Sequence, residues 1–130
     1  MKKISKISIS ILVFLMLFSI CACNSTDETT ITSSIGAINA AKNKGKINNA
    51  AEQIACDLGF SYYEDPYYHS SSATQNEDKS WTVTLKGDIT GYKDNLRTQK
   101  EQYQFAYTLT VTEEGFVQPD GKFISKQKIK

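Results

Sequence analysis

Trp81-Thr82-Val83-Thr84-Leu85-Lys86-Gly87-Asp88-Ile89-Thr90 switches between apolar and polar at every step. Trp81, Val83, Leu85, Gly87 and Ile89 fall on one side of an extended chain. Thr82, Thr84, Lys86, Asp88 and Thr90 fall on the other. A second stretch repeats the pattern, with Tyr103, Phe105, Tyr107, Leu109 and Val111 alternating with Gln102, Gln104, Ala106, Thr108 and Thr110. Two such strands suit an antiparallel sheet covered on one face, since a sheet buried on both faces has no place for a polar row. Working outward, Asn76-Glu77-Asp78-Lys79 is the turn into the first long strand, and residues 67–74 are its preceding partner. Residues 93–101 form a charged loop between the long strands. Glu113-Glu114-Gly115 turns the chain again. Phe116-Val117 and Phe123-Ile124 then make a last strand, interrupted at Pro119-Asp120-Gly121. The basic tail 126–130 either frays or extends that strand as a charged edge.

The cover for the apolar face lies upstream. Ile47, Ala50, Ala51, Ile54 and Leu58 recur at three- and four-residue spacing and share one stripe of a helix over 46–58. Gly59 follows, where a left-handed C-terminal cap is usual. Residues 35–44 form a weaker helical piece, divided from the next by Gly45. Residues 23–34 read as a flexible polar tether, with Ser33 or Ser34 placed to cap the first helix. The expected fold is α+β: an N-terminal helix, in one or two pieces, packed on one face of a four-stranded antiparallel meander over residues 35–130.

The first 22 residues belong to a different kind of segment. Lys2, Lys3 and Lys6 make a positive start, followed by the apolar run 11–18 and the small residue Ala22. These are the parts of a secretory signal. Ser8, Ser10 and Ser19 leave the stretch short of the roughly 18 clean apolar residues that argue for a spanning helix. Ile20-Cys21-Ala22-Cys23 resembles the lipobox of a bacterial prolipoprotein. The resemblance implies that Cys23 receives a diacylglycerol and becomes the first residue of the mature chain. Cys21 is the competing position, with the large Ile20 directly before it. Two acyl chains anchor stably where one is marginal, so the resemblance implies a lipid-anchored protein on the extracytoplasmic side of the cell membrane. Helix-then-meander order is similar to the cystatin-like layout. Trp81-Thr82-Val83 after a helix is also similar to exported PepSY-type modules.

Removing Lys2, Lys3 and Lys6 from 15 basic residues leaves 12 against 14 acidic ones, a net of −2. A near-neutral exported chain carries no electrostatic case for nucleic acid. With Cys21 in the signal and Cys23 alkylated, Cys56 is the remaining thiol, so the expectation is a fold held without an internal disulfide. Helical geometry puts Cys56 on the side of Glu52 and Asn49, but free cysteine is most often buried, so the expectation is a small buried residue under the first helix or a loop. It has no basic neighbour within a turn to activate it.

Tyr62, Tyr63, Tyr67 and Tyr68, grouped around Glu64-Asp65-Pro66, are the candidate binding surface, because tyrosine joins an apolar body to a polar tip. The same rings could close the end of the core. His69 is the one histidine, with Ser70, Ser71 and Ser72 beside it and no nucleophile motif around them. No ligand spacing for a metal is present, and no cofactor is expected. Two functions stay open. One is a non-enzymatic, membrane-tethered module that binds a protein or another envelope component. The other is a small-ligand carrier or small enzyme using a cavity between helix and sheet, which would require a carboxylate or histidine on the inward sheet face. None stands at the inward positions.

Overall fold

The structure, a computed structural model, describes residues 30–130. Cys23 and the signal segment lie outside those residues. Within them the order is α1 (Ser34–Lys42), α2 (Ala50–Leu58), β1 (Tyr62–Tyr63), β2 (Tyr67–Gln75), β3 (Trp81–Tyr92), β4 (Lys100–Val111) and β5 (Lys122–Lys128). The fold is α+β, with two helices and an antiparallel sheet of five strands rather than the expected four. The extra strand comes from a broken edge. β1 pairs with Tyr92 and Gly91 of β3, and β2 pairs with the same side of β3 from Asp88 to Trp81. Glu64-Asp65-Pro66 separates them, and Pro66 has no N–H to give a ladder. Beyond β3 the sheet continues through β4 to β5.

The alternation of the two long strands is realised. Trp81, Val83, Leu85 and Ile89 of β3 are buried, as are Phe105, Tyr107, Leu109 and Val111 of β4. They pack with Ala37, Ala40 and Ala41 of α1 and with Ile54, Ala55 and Leu58 of α2 in one cluster. Small alanines on α1 let that helix lie close to the sheet. Ala106 departs from the expected pattern: it sits on the polar side, yet is only 6 % exposed.

The helices are shorter than their sequence pattern. Ser33 caps α1, its hydroxyl accepting from the Gly36 N–H at 3.1 Å. α2 starts at Ala50 rather than 46, because Asn48 turns left-handed (φ 64°) and the Asn49 side chain accepts from the Glu52 N–H. Ile47, expected on the apolar stripe, is therefore outside the helix and 83 % exposed. Gly59 closes α2 in the left-handed region (φ 78°), as its position predicts. Two more differences concern the ends. Ile31 is already part of the domain, since its N–H donates to the Glu113 carbonyl at 2.7 Å and its side chain packs on the core. The last strand begins at Lys122, not Phe116; Val117 makes only an isolated bridge to Val111. The basic tail takes the second of its two expected states and stays paired, Ile129 N–H donating to Gln102 O at 2.8 Å.

Strand register gives the domain two ends. Trp81 pairs with Val111, so the turns at 76–80 and 112–116 share one end, where Ile31 also joins. Tyr92 pairs with Lys100 and Tyr62, so the loop 93–99 and β1 share the other.

Candidate functional site

Both helices pack on the apolar face, which leaves the opposite face of the sheet uncovered among the described residues. Thr82, Thr84, Asp88 and Thr90 there are half-exposed and Lys86 is exposed. Twist and two bulges shape this face into an open depression of about 700 Å³, crossing all four columns of the sheet. Its polar lining includes His69, Ser70, Lys86 and Gln104. Ala106 and Ile124 supply apolar surface.

The bulges locate the rims. On β2 the register passes from Tyr68–Gly87 to Ser70–Lys86, so His69 is the unpaired extra residue. On β5 it passes from Ser125–Ala106 to Phe123–Tyr107, so Ile124 is the extra residue. A bulge re-aims its side chain and raises local twist. Both bulged residues line the same depression, one on each edge of the sheet. Ile124 stands 60 % exposed.

His69 is not alone. Its Nε2 lies 3.0 Å from Asp88 Oδ2, and its ring meets Tyr67 edge-on with centroids 4.9 Å apart. The other carboxylate oxygen, Asp88 Oδ1, is buried without a hydrogen-bond partner among the described residues. An orphaned buried acceptor costs about 1–3 kcal/mol. Among the described residues no hydroxyl hydrogen-bonds the remaining His69 ring nitrogen, and no group of His, Cys, Asp or Glu has metal-binding geometry.

The four candidate tyrosines do not converge. Tyr68 packs on the core against Phe105 (6.2 Å, edge-on), under the Lys42 ammonium at 4.9 Å. Burial, with help from Asp65 and Tyr63, pushes its hydroxyl well above the usual tyrosine range. Tyr67 stands on the opposite face, 68 % exposed, beside His69. Tyr62 and Tyr63 lie at the far end, where the Arg97 guanidinium sits 4.0 Å above the Tyr62 ring. Burial also raises the Tyr63 hydroxyl, with Glu52 and Asp65 adding to the effect. The core-closing role therefore belongs to Tyr68, and surface is offered by Tyr62, Tyr63 and Tyr67 in two separate places.

Cys56 is exposed on α2; the expected buried position is overturned, because its place on the helix turns it to the polar side with Glu52 and away from the core stripe of Ile54, Ala55 and Leu58. Two features escaped the sequence. The alternation already placed Asp88 outward, but only the bulge brings His69 onto it. The Tyr107 hydroxyl donates to Asp57 Oδ2 at 2.6 Å across 50 residues of chain, a contact with no local signal. No protein-family model, curated protein or solved structure matches the chain.

Proposed function

We propose that this chain is an exported lipoprotein, anchored in the cell membrane through acylated Cys23, whose domain is a non-enzymatic binding module of the cell envelope. Its recognition surface is the uncovered sheet face. The observation that carries this reading is the depression rimmed by the two bulged residues His69 and Ile124. A face that mixes amide, hydroxyl, lysine and apolar groups in an open trough fits an extended protein segment or another envelope polymer better than a small enclosed ligand. The carrier or enzyme alternative draws no comparable support, because apolar side chains fill the layer between helices and sheet. Asn49, the one buried polar residue among those described, caps α2 and bonds the α1–α2 loop. We further infer a cystatin-like layout, supported by a helical layer that precedes the meander and covers one of its faces.

The test is a photo-crosslinking residue placed at Gln104 in the protein in its own membrane. A defined crosslinked product is expected, lost in Ala106→Arg and kept in the double variant Tyr62→Ala, Tyr63→Ala. Products that arise from position 62 but not 104 would move the surface to the far end of the domain.

A further inference from the structure

The end of the domain where Ile31 joins carries exposed apolar side chains that neither the core nor the sheet face uses. Ile47 is 83 % exposed and Phe116 64 %, and the two line one groove together with Lys46 and Val117. Phe116 also borders the adjoining groove formed with Ile31, Gly36 and Gly115. The two grooves share Lys46 and Phe116 and so make one continuous tip between the α1–α2 loop and the β4–β5 turn, where Ile47 and Phe116 stand out among polar neighbours such as Asn43, Asn48 and Glu114. Large apolar side chains held out on turns, away from any strand edge, mark a contact surface rather than a packing error.

The position of the chain argues for what covers the tip. Ile31 is fixed at this end by its bond to Glu113. Only seven peptide steps separate Cys23 from Thr30, and a fully extended chain spans at most about 3.6 Å per step, or about 25 Å. A lipid on Cys23 therefore keeps Ile31, and with it the end that carries Ile47 and Phe116, near the leaflet, whereas the loop 93–99 lies at the opposite end of the strands. Lys46, over Gly115, offsets part of the acidity of Glu113 and Glu114 in the same turn.

We propose that Ile47 and Phe116 form a membrane-seating tip, inserting into the interface of the leaflet that holds Cys23 and standing the domain upright with its bare sheet face open to the side. This rests on the lipid-anchor reading above. Amphipathic surface carrying Phe and Ile binds at the boundary between headgroups and acyl chains. A tip tethered this closely needs little intrinsic affinity, because the anchor fixes a high effective concentration.

The experiment uses the mature lipidated protein reconstituted in phosphatidylcholine vesicles with brominated acyl chains. Two single variants carry a tryptophan reporter, Phe116→Trp at the tethered end and Leu96→Trp at the far end. Leu96 and Phe116 are both largely exposed, so neither replacement disturbs the core. Trp81, buried in the core, gives a background common to both and to the parent. The expected result is a blue shift and loss of emission for the reporter at position 116 and neither change at position 96. Adding Ile47→Ser to the first variant should restore emission. Equal quenching at both ends, or none at 116 in protein whose mass shows the lipid, overturns the tip and leaves the anchor standing. Protein whose mass shows no lipid overturns both.

Discussion

Gly87 shows how tightly β2 lies on β3. A Cβ at Gly87 would overlap the Tyr67 carbonyl and press on Tyr68 Cα, which are backbone atoms that cannot turn aside. At Gly91 the obstacle is a side chain, the Phe60 ring, which would have to shift against the core. Gly87→Ala should therefore destabilise more than Gly91→Ala, by about 1–3 kcal/mol in the first case, read as a shift of urea midpoint at constant slope. Tyr107 carries a different constraint. Its side chain is 1 % exposed and its hydroxyl donates to Asp57. Burial first, then the hydrogen bond to Asp57, pushes the hydroxyl far above the usual tyrosine range. Tyr68 is raised in the same direction. The sign follows from linkage: below about pH 10 both folded and unfolded chains keep these protons, and stability is unaffected. Above it the unfolded chain loses them while the folded chain holds them, so stability falls by up to about 1.4 kcal/mol per pH unit for each such group. Tyr107→Phe should be less stable at neutral pH but should lose stability less steeply in alkali. Equal alkaline slopes for parent and variant, measured by urea unfolding at a series of pH values, would remove Tyr107 from the account.

At the scale of elements, two amides decide where segments end and how they join. Asn49 is 3 % exposed; its oxygen accepts from the Glu52 N–H at 3.1 Å and its Nδ2 donates to the Lys46 carbonyl at 2.9 Å. Asn49→Ala should cost about 1–2 kcal/mol, and Asn49→Asp should recover only part, since a carboxylate keeps the cap but cannot donate to Lys46. Gln53 clamps α2 to the β4–β5 connection, donating to the Asn48 and Gln118 carbonyls and accepting from Gly121 N–H at 2.8 Å. Gln53→Leu should speed amide exchange at Gly121 well before it affects β3, as local opening follows the lost bonds. These contacts also explain what the sequence could and could not tell. Period-two alternation made β3 and β4 legible, because every second residue reports its own face. The start of α2 was misread because Ile47 fits the helical stripe, while Asn48 in the left-handed region and the Asn49 cap override it. The bulges at His69 and Ile124 had no signal, since an unpaired residue exists only relative to its partner strand. The candidate site was accordingly half legible: Asp88, Lys86 and Gln104 were assigned to the polar face, but not the trough they share with His69.

For the whole molecule, folding and address are separable. The described residues bury one apolar core, with contributions from Ile31 to Phe123. Neither helix is long and apolar enough to cross a membrane. On the reading proposed above, anchoring depends on one sulfur atom, Cys23 Sγ. Cys23→Ala should remove lipid label and leave the precursor uncut, yet the denaturant midpoint of the domain should match that of the lipidated protein in detergent. Cys56 permits a clean version of the comparison. Its thiol is exposed, so Cys56→Ser should change stability by no more than about 0.5 kcal/mol, and it removes a second site of oxidation or alkylation. In that background, lipid label that survives Cys23→Ala would transfer the anchor to Cys21. A lowered midpoint in the unlipidated chain would show that the lipidated N-terminus contributes to the stability of the domain, against the expectation that the core described above carries it.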